Sequence, residues 1–123
     1  MNTQNQKILI VDDEEDVRLF LSDFFFERDF QVEVAANGEE ALEKIDKNVP
    51  DVILLDIMMP GMDGIDCLAE IKKKYPKVVV IMITALKDEQ RVLRAKKLGA
   101  HDYIVKPFSL SYLESELGKI IPS

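Results

Sequence analysis

The sequence predicts a doubly wound α/β fold, one parallel five-stranded sheet with helices on both faces. Three observations predict it. Short apolar runs alternate with amphipathic helical stretches five times over; no hairpin signal joins one run to the next; and residues 52–55 and 78–83 are apolar without interruption. Uninterrupted apolar runs suit strands covered on both sides. Strands joined through helices are parallel, and their crossovers are right-handed.

With 123 residues the chain fits one domain, 1–123, with an ordered core expected over about residues 6–121. Its 16 basic and 23 acidic residues leave a net charge of −7, which argues against nucleic acid or an anionic membrane as a direct partner. The one cysteine, Cys67, excludes an internal disulfide. The opening MNTQNQK lacks the apolar segment of a secretion signal, and no run reaches the ~20 apolar residues of a membrane span. A cytoplasmic protein is expected.

The elements follow in order. Residues 7–11 (KILIV) form a β-branched apolar run that ends in Asp12, Asp13, Glu14, Glu15 and Asp16. Val17, Phe20, Leu21, Phe24 and Phe25 then recur at helical spacing, behind an acidic first turn that suits the helix dipole. Residues 30–35 alternate loosely, as a strand with one poorer face. Asn37, with Glu40 three residues on, predicts a capped helix that turns Ala41, Leu42 and Ile45 inward. Residues 51–64, DVILLDIMMPGMDG, run as a buried strand into Asp56 and then into a proline- and glycine-bearing loop. Asp63 is the expected N-cap of a helix with Ile65, Leu68 and Ile71 inward, ended by Tyr75-Pro76, with Lys72, Lys73 and Lys74 at its dipole-favoured end.

Residues 78–83 form the most apolar run and finish at Thr84. A helix over 88–98 is closed by Gly99. A last strand at 103–105 leads into Lys106-Pro107-Phe108, and Ser109 caps a final helix with Leu110, Leu113, Leu117 and Ile120 inward and Pro122 beyond it. The Phe and Met residues are assigned to the core. His101 and Cys67 have no second His or Cys with which to complete a metal site.

In a parallel sheet all carboxyl ends open on one edge, and ligands bind there where strand order reverses. Asp12 and Asp13, Asp56, Thr84 and Lys106 each follow an apolar run, so they converge on that edge. Taken singly, Asp56 is a turn aspartate, Thr84 a strand-end hydroxyl and Lys106 a solvated lysine; only their joint placement argues otherwise. Three neighbouring carboxylates repel by ~1 kcal/mol per pair in water and ~4 at an effective dielectric of 20. Positive charge is required among them. Lys106 supplies one, and carboxylates with nearby carbonyls and water are what Mg²⁺ prefers. A metal leaves room for an anion facing Lys106 and Thr84, and a phosphoryl group is the natural candidate. Glu14, Glu15 and Asp16 read instead as a solvated helix start.

The motifs VDDEE at 11–15, LLDIMMPGMDG at 54–64, TA at 84–85 and YIVKPF at 103–108, in that order and at strand ends, resemble the receiver domain of two-component response regulators over essentially the whole chain. The resemblance implies a flavodoxin-like three-layer sandwich with strand order 2-1-3-4-5. It implies that Asp56 accepts a phosphoryl group from the phosphohistidine of a sensor histidine kinase or phosphotransfer protein. Asp13, Asp56 and the backbone carbonyl of Met58 would ligate Mg²⁺, with Asp12 holding the metal's water. Lys106 would pair with one phosphate oxygen and Thr84 donate to another, and Pro107 fits the family's cis peptide.

Thr84 and Tyr103 form the implied switch: Thr84 moves toward phosphate, the Tyr103 ring turns inward, and the face made by the fourth helix, last strand and last helix changes for a downstream output domain or protein, or for a homodimer. Driving such an equilibrium from 1:99 to 99:1 takes ~5.5 kcal/mol, the size of a few charge-assisted hydrogen bonds with a metal. A switch rather than an enzyme is expected. Hydrolases with an aspartyl-phosphate intermediate usually carry a second acid two residues after the nucleophile, and here that residue is Met58. A docking-only receiver would lack a member of the set, and none is missing. Met58 and Leu86 cannot orient an attacking water, so slow phosphoryl loss is expected. With no output segment after Ser123, the chain is expected to be a stand-alone or excised receiver.

Overall fold

A computed structural model describes residues 6–85 and 89–120, the last three as backbone. The strands are β1 (Lys7–Val11), β2 (Gln31–Ala35), β3 (Val52–Asp56), β4 (Val79–Thr84) and β5 (Asp102–Val105); the helices are α1 (Glu15–Phe26), α2 (Gly38–Lys47), α3 (Gly64–Lys74), α4 (Glu89–Lys97) and α5 (Leu110–Ile120). The strands form one sheet in the order β2-β1-β3-β4-β5, and every neighbouring pair is parallel. None of the helices among the described residues is long and apolar enough to cross a membrane.

Alternation along the strands divides the core in two. Ile53 and Leu55 of β3 face a cluster with Ala41 and Ile45 of α2, Leu68 and Ile71 of α3, and Ala95 of α4. Val52 and Leu54 face the other side, against Leu21, Phe24 and Phe25 of α1 and Leu113 and Leu117 of α5. β3 is buried along its whole length, which explains why its sequence is apolar rather than alternating. The registers Val11 to Leu55, Asp56 to Ile83 and Thr84 to Val105 bring the strand ends to one rim.

Local signals behave as their chemistry requires. Asn37 accepts a hydrogen bond from the Glu40 N–H at 2.8 Å, while the Glu40 carboxylate accepts from the Ala36 N–H at 2.7 Å. Asp63 caps α3 by accepting from the Ile65 N–H at 2.7 Å, and Gly99 ends the α4 region at φ +110°. Asn37→Ala is expected to lower the unfolding free energy by about 1 kcal/mol, and Asn37→Gly by only a few tenths. Urea denaturation checks this, with an unchanged slope marking a loss confined to the native state.

Several expectations need correction. Phe20 and Leu110 were expected to face inward, yet they are 40% and 53% exposed. The buried stripe of α1 is narrower than the apolar one, limited to Leu21, Phe24 and Phe25, and Phe20 lies beside Pro107 and Phe108 on a surface groove. Leu110 sits in the first turn of α5, ahead of the turns that reach the sheet. Phe26 and Met58 are also exposed rather than core. Phe30 precedes β2 instead of opening it: its N–H closes α1 on the Phe25 carbonyl, after Asp29 at φ 68°. Leu86, Asp88, Pro122 and the side chain of Ile120 lie outside the described residues.

Candidate functional site

The flush ends of β1 and β3 set three aspartates together. Carboxylate oxygens of Asp12, Asp13 and Asp56 all lie within 4.8 Å of one another. Asp12 is fully buried, Asp56 is 4% exposed and Asp13 is exposed. Asp12 is held on several sides: its N–H donates to the Ala35 carbonyl, its Oδ1 accepts from the Glu14 N–H at 2.9 Å, and its carbonyl accepts from Arg18 at 2.8 Å. Asp56 Oδ1 accepts from the Met58 N–H at 3.2 Å.

Gly64 explains how α3 comes so near. A Cβ on this residue would stand 2.0 Å from the Asp56 carbonyl oxygen and 2.7 Å from the Ile57 Cα. Without a side chain, the Gly64 N–H instead donates to the Ile57 carbonyl at 2.9 Å. The glycine is required by proximity, since only hydrogen fits between the helix start and the strand end.

Lys106 enters from β5. Its backbone N–H donates to the Thr84 carbonyl at 2.8 Å, and its peptide bond to Pro107 is cis. Its Nζ lies 2.9 Å from Asp12 Oδ2, 2.9 Å from Glu14 Oε1 and 3.4 Å from Asp56 Oδ2. The Asp12 contact is an ion pair without an aligned hydrogen bond, which leaves the buried Oδ2 without a hydrogen-bond partner among the described residues. One lysine thus faces three carboxylates, and Asp13 adds a fourth to the same cluster.

The imbalance shows in proton affinity. Burial first, and then the charge of Asp12, push the Asp56 carboxyl from the ordinary 3.8 up to about 7, against the pull of Lys106 and the Met58 N–H. Burial works against the charge on Lys106, but Glu14, Asp12 and Asp56 together hold its proton affinity above the usual lysine value. The Lys106 hydrogen bond lowers the affinity of Glu14. All the available donors are hard oxygens, they are short of positive charge, and one is buried without a hydrogen bond. This set fits a divalent ion of the Mg²⁺ kind.

The structure therefore brings together Asp12, Asp13, Asp56 and Lys106, with Met58 adjoining through its backbone. Thr84 is buried at the same rim, but its hydroxyl donates to the Ala85 carbonyl at 2.9 Å rather than into the carboxylate pocket. Tyr103 is half-buried against the α2–α3–α4 core cluster, with Lys96 Nζ 5.3 Å from its ring centroid. Two residues were not singled out from sequence. Glu14, read as solvated, is a direct partner of Lys106; its place beside the acid pair was the available signal. Arg91 of α4 reaches the Met58 thioether and the Asp63 carboxylate, and no sequence pattern marks that contact.

Comparison with known proteins agrees with this geometry. Residues 8–117 match the family model described as response regulator receiver domain. The chain is 38% identical over 118 residues to sporulation initiation phosphotransferase F of Bacillus subtilis (strain 168), covering 96% of this chain and 95% of that protein. It is 42% identical over 111 residues to the regulatory protein AtoC of Escherichia coli (strain K12), covering 90% of this chain but only 24% of that longer protein. Among solved structures, the Vibrio cholerae chemotaxis protein CheY4 superposes with a TM-score of 0.88 at 31% identity, covering 95% of this chain and 99% of that one. With its strand order, its acidic rim and these relatives in agreement, the chain belongs to the response regulator receiver domain family.

Proposed function

We propose that Asp56 is the phosphoacceptor of this receiver and that its phosphorylation switches the surface formed by α4, β5 and α5. Receiver domains are signalling switches that interact with histidine kinases or phosphotransfer proteins and with output domains, and they generally bind Mg²⁺ at an acidic pocket. The observation that carries the reading is the position of Asp56: a nearly buried carboxylate at the end of the central strand, 3.4 Å from Lys106 and grouped with Asp12 and Asp13.

The chemistry follows from these side chains. A carboxylate oxygen of Asp56 attacks the phosphorus of a phosphohistidine; the P–N bond breaks, its electron pair returns to the imidazole, and an acyl phosphate remains. Asp13, Asp56 and the Met58 carbonyl would hold Mg²⁺, with Asp12 on a metal-bound water. When bound, the ion supplies the positive charge that the transferring oxygens and the clustered carboxylates lack. Lys106 exchanges Glu14 or Asp12 for a phosphoryl oxygen, and Thr84 releases the Ala85 carbonyl to donate to another. Withdrawal of Thr84 opens space toward Tyr103, whose ring lies half-buried under Lys96. The reshaped face then binds an output domain or partner protein, or a second copy.

Incubation with acetyl phosphate and Mg²⁺, followed by intact mass measurement, tests the reading. Wild type is expected to gain one phosphoryl group and Asp56→Asn none; gain by the variant would contradict it. Met58 carries no group that can orient water, so the acyl phosphate should be long-lived. Met58→Asn is expected to accelerate its decay severalfold in Mg²⁺ buffer, and an unchanged decay would refute this role for Met58.

A further inference from the structure

We propose that Arg91 is a positioning residue that anchors the Met58 side chain to α4 and thereby keeps water away from phosphorylated Asp56. This rests on Asp56 being the acceptor. Arg91 lies in the first turn of α4 and is two-armed: one terminal nitrogen is 3.1 Å from Met58 Sδ, and the other pairs with the Asp63 carboxylate. Its two partners bracket the loop that follows Asp56. Asp63 is itself fixed, because its other oxygen caps α3 on the Ile65 N–H.

Met58 needs such an anchor. It is 57% exposed, and a methionine side chain turns about three bonds, so left alone it samples many rotamers. A thioether is a weak acceptor. Contact with Met58 would not by itself immobilise an arginine, but the Asp63 pair orients the planar guanidinium and leaves its second arm on the sulfur. A lysine has no such fork and cannot serve both partners in one geometry. At the other end of the residue, the Met58 N–H donates to Asp56 Oδ1. Met58 therefore spans from the acceptor carboxylate to α4.

The step that this arrangement slows is hydrolysis. A water oxygen attacks the phosphorus, the bond to the Asp56 oxygen breaks with its electron pair returning to the carboxylate, and inorganic phosphate leaves as the water's proton passes to solvent. An apolar thioether held beside the acceptor neither orients nor deprotonates that water. Because the anchor is part of α4, a partner that moves α4 also changes the lifetime of the phosphoryl group, and one that clamps α4 in place preserves it.

The test is the decay of phosphoprotein, prepared with acetyl phosphate, in wild type, Arg91→Ala, Met58→Ala and the double variant. Arg91→Ala is expected to decay about three- to tenfold faster, Arg91→Lys to behave like Arg91→Ala, and the double variant to decay no faster than Met58→Ala alone. Multiplying effects, or an Arg91→Ala decay equal to wild type, would overturn the proposal. A second readout needs no phosphorylation: with ¹³C-methyl methionine, the Met58 signal is expected to shift toward its free-chain position in Arg91→Ala while those of Met59, Met62 and Met82 stay. An unmoved Met58 signal would overturn the anchor. Failure of Asp56 as acceptor is distinct, appearing as wild type that never gains a phosphoryl group. The unmoved signal of Met82, in the core, shows that the variant is folded.

Discussion

Asp56→Asn, besides losing phosphoryl gain, is expected to be more stable than wild type in Mg²⁺-free buffer at pH 8 by about 1–3 kcal/mol. The folded protein raises the affinity of Asp56 for a proton, from 3.8 up to about 7, through burial and the neighbouring Asp12. A group held in this way contributes stability that is fully present below about pH 4 and is lost as pH rises through about 7. At pH 8 the folded wild type holds a buried negative charge that the unfolded chain would hold in water. Asparagine is nearly the same shape, can still accept the Met58 N–H, and carries no charge. The sign of the net effect follows because Lys106 is already engaged by Asp12 and Glu14 and loses only one of three partners. At pH 5 the folded carboxyl is protonated while the unfolded one is still largely ionised, so the difference should shrink, and it should vanish only below about pH 4. Mg²⁺ should reverse the order at pH 8 by binding the native wild type and not the variant. Urea denaturation at the two pH values, with and without Mg²⁺, reads all three outcomes. A variant less stable than wild type at pH 8 without metal would contradict the account.

Gly64→Ala is expected to destabilise the fold by on the order of 3 kcal/mol or more, and to impair phosphoryl gain as well. The added Cβ would meet backbone, the Asp56 carbonyl at 2.0 Å and the Ile57 Cα at 2.7 Å. Backbone in the central strand cannot rotate aside as a side chain can, and protein interiors leave little slack. Relief requires α3 to draw back or the end of β3 to move, and either displaces the acceptor from Lys106. At an ordinary exposed helix position the same change would stabilise by about 0.5–1 kcal/mol through helix propensity. The opposite signs make the experiment decisive: a Gly64→Ala protein as stable as wild type would show that the close approach is absent in solution.

The fold was legible because its signals are local and repeated. Four strands are short apolar runs and β2 alternates, each helix carries a cap or a stripe, and Asn37, Asp63, Gly99 and Ser109 act within a few residues of themselves. The acidic rim was legible for a topological reason, since parallel strands must open at one edge. What could not be read depends on side-chain direction between elements. The apolar stripe of α1 does not reveal that Phe20 turns to the groove beside Pro107. The acidic run does not reveal that Glu14, rather than only its neighbours, reaches Lys106 across 92 positions of sequence. The strand-end hydroxyl of Thr84 was expected to face phosphate, and in this state it bonds its own loop at the Ala85 carbonyl. Arg91 was invisible for the same reason: one of two arginines on α4, distinguished only by what it touches.

The most direct test of the acceptor assignment is chemical. Borohydride reduces an aspartyl phosphate to homoserine and leaves free carboxylates intact, so reduction after treatment with acetyl phosphate and Mg²⁺ marks the residue that carried the group. Peptide mapping should find homoserine at position 56 alone, and none when Mg²⁺ is withheld by chelation. Homoserine at position 12 or 13, or an unmarked position 56 in protein that had gained a phosphoryl group, would contradict the account.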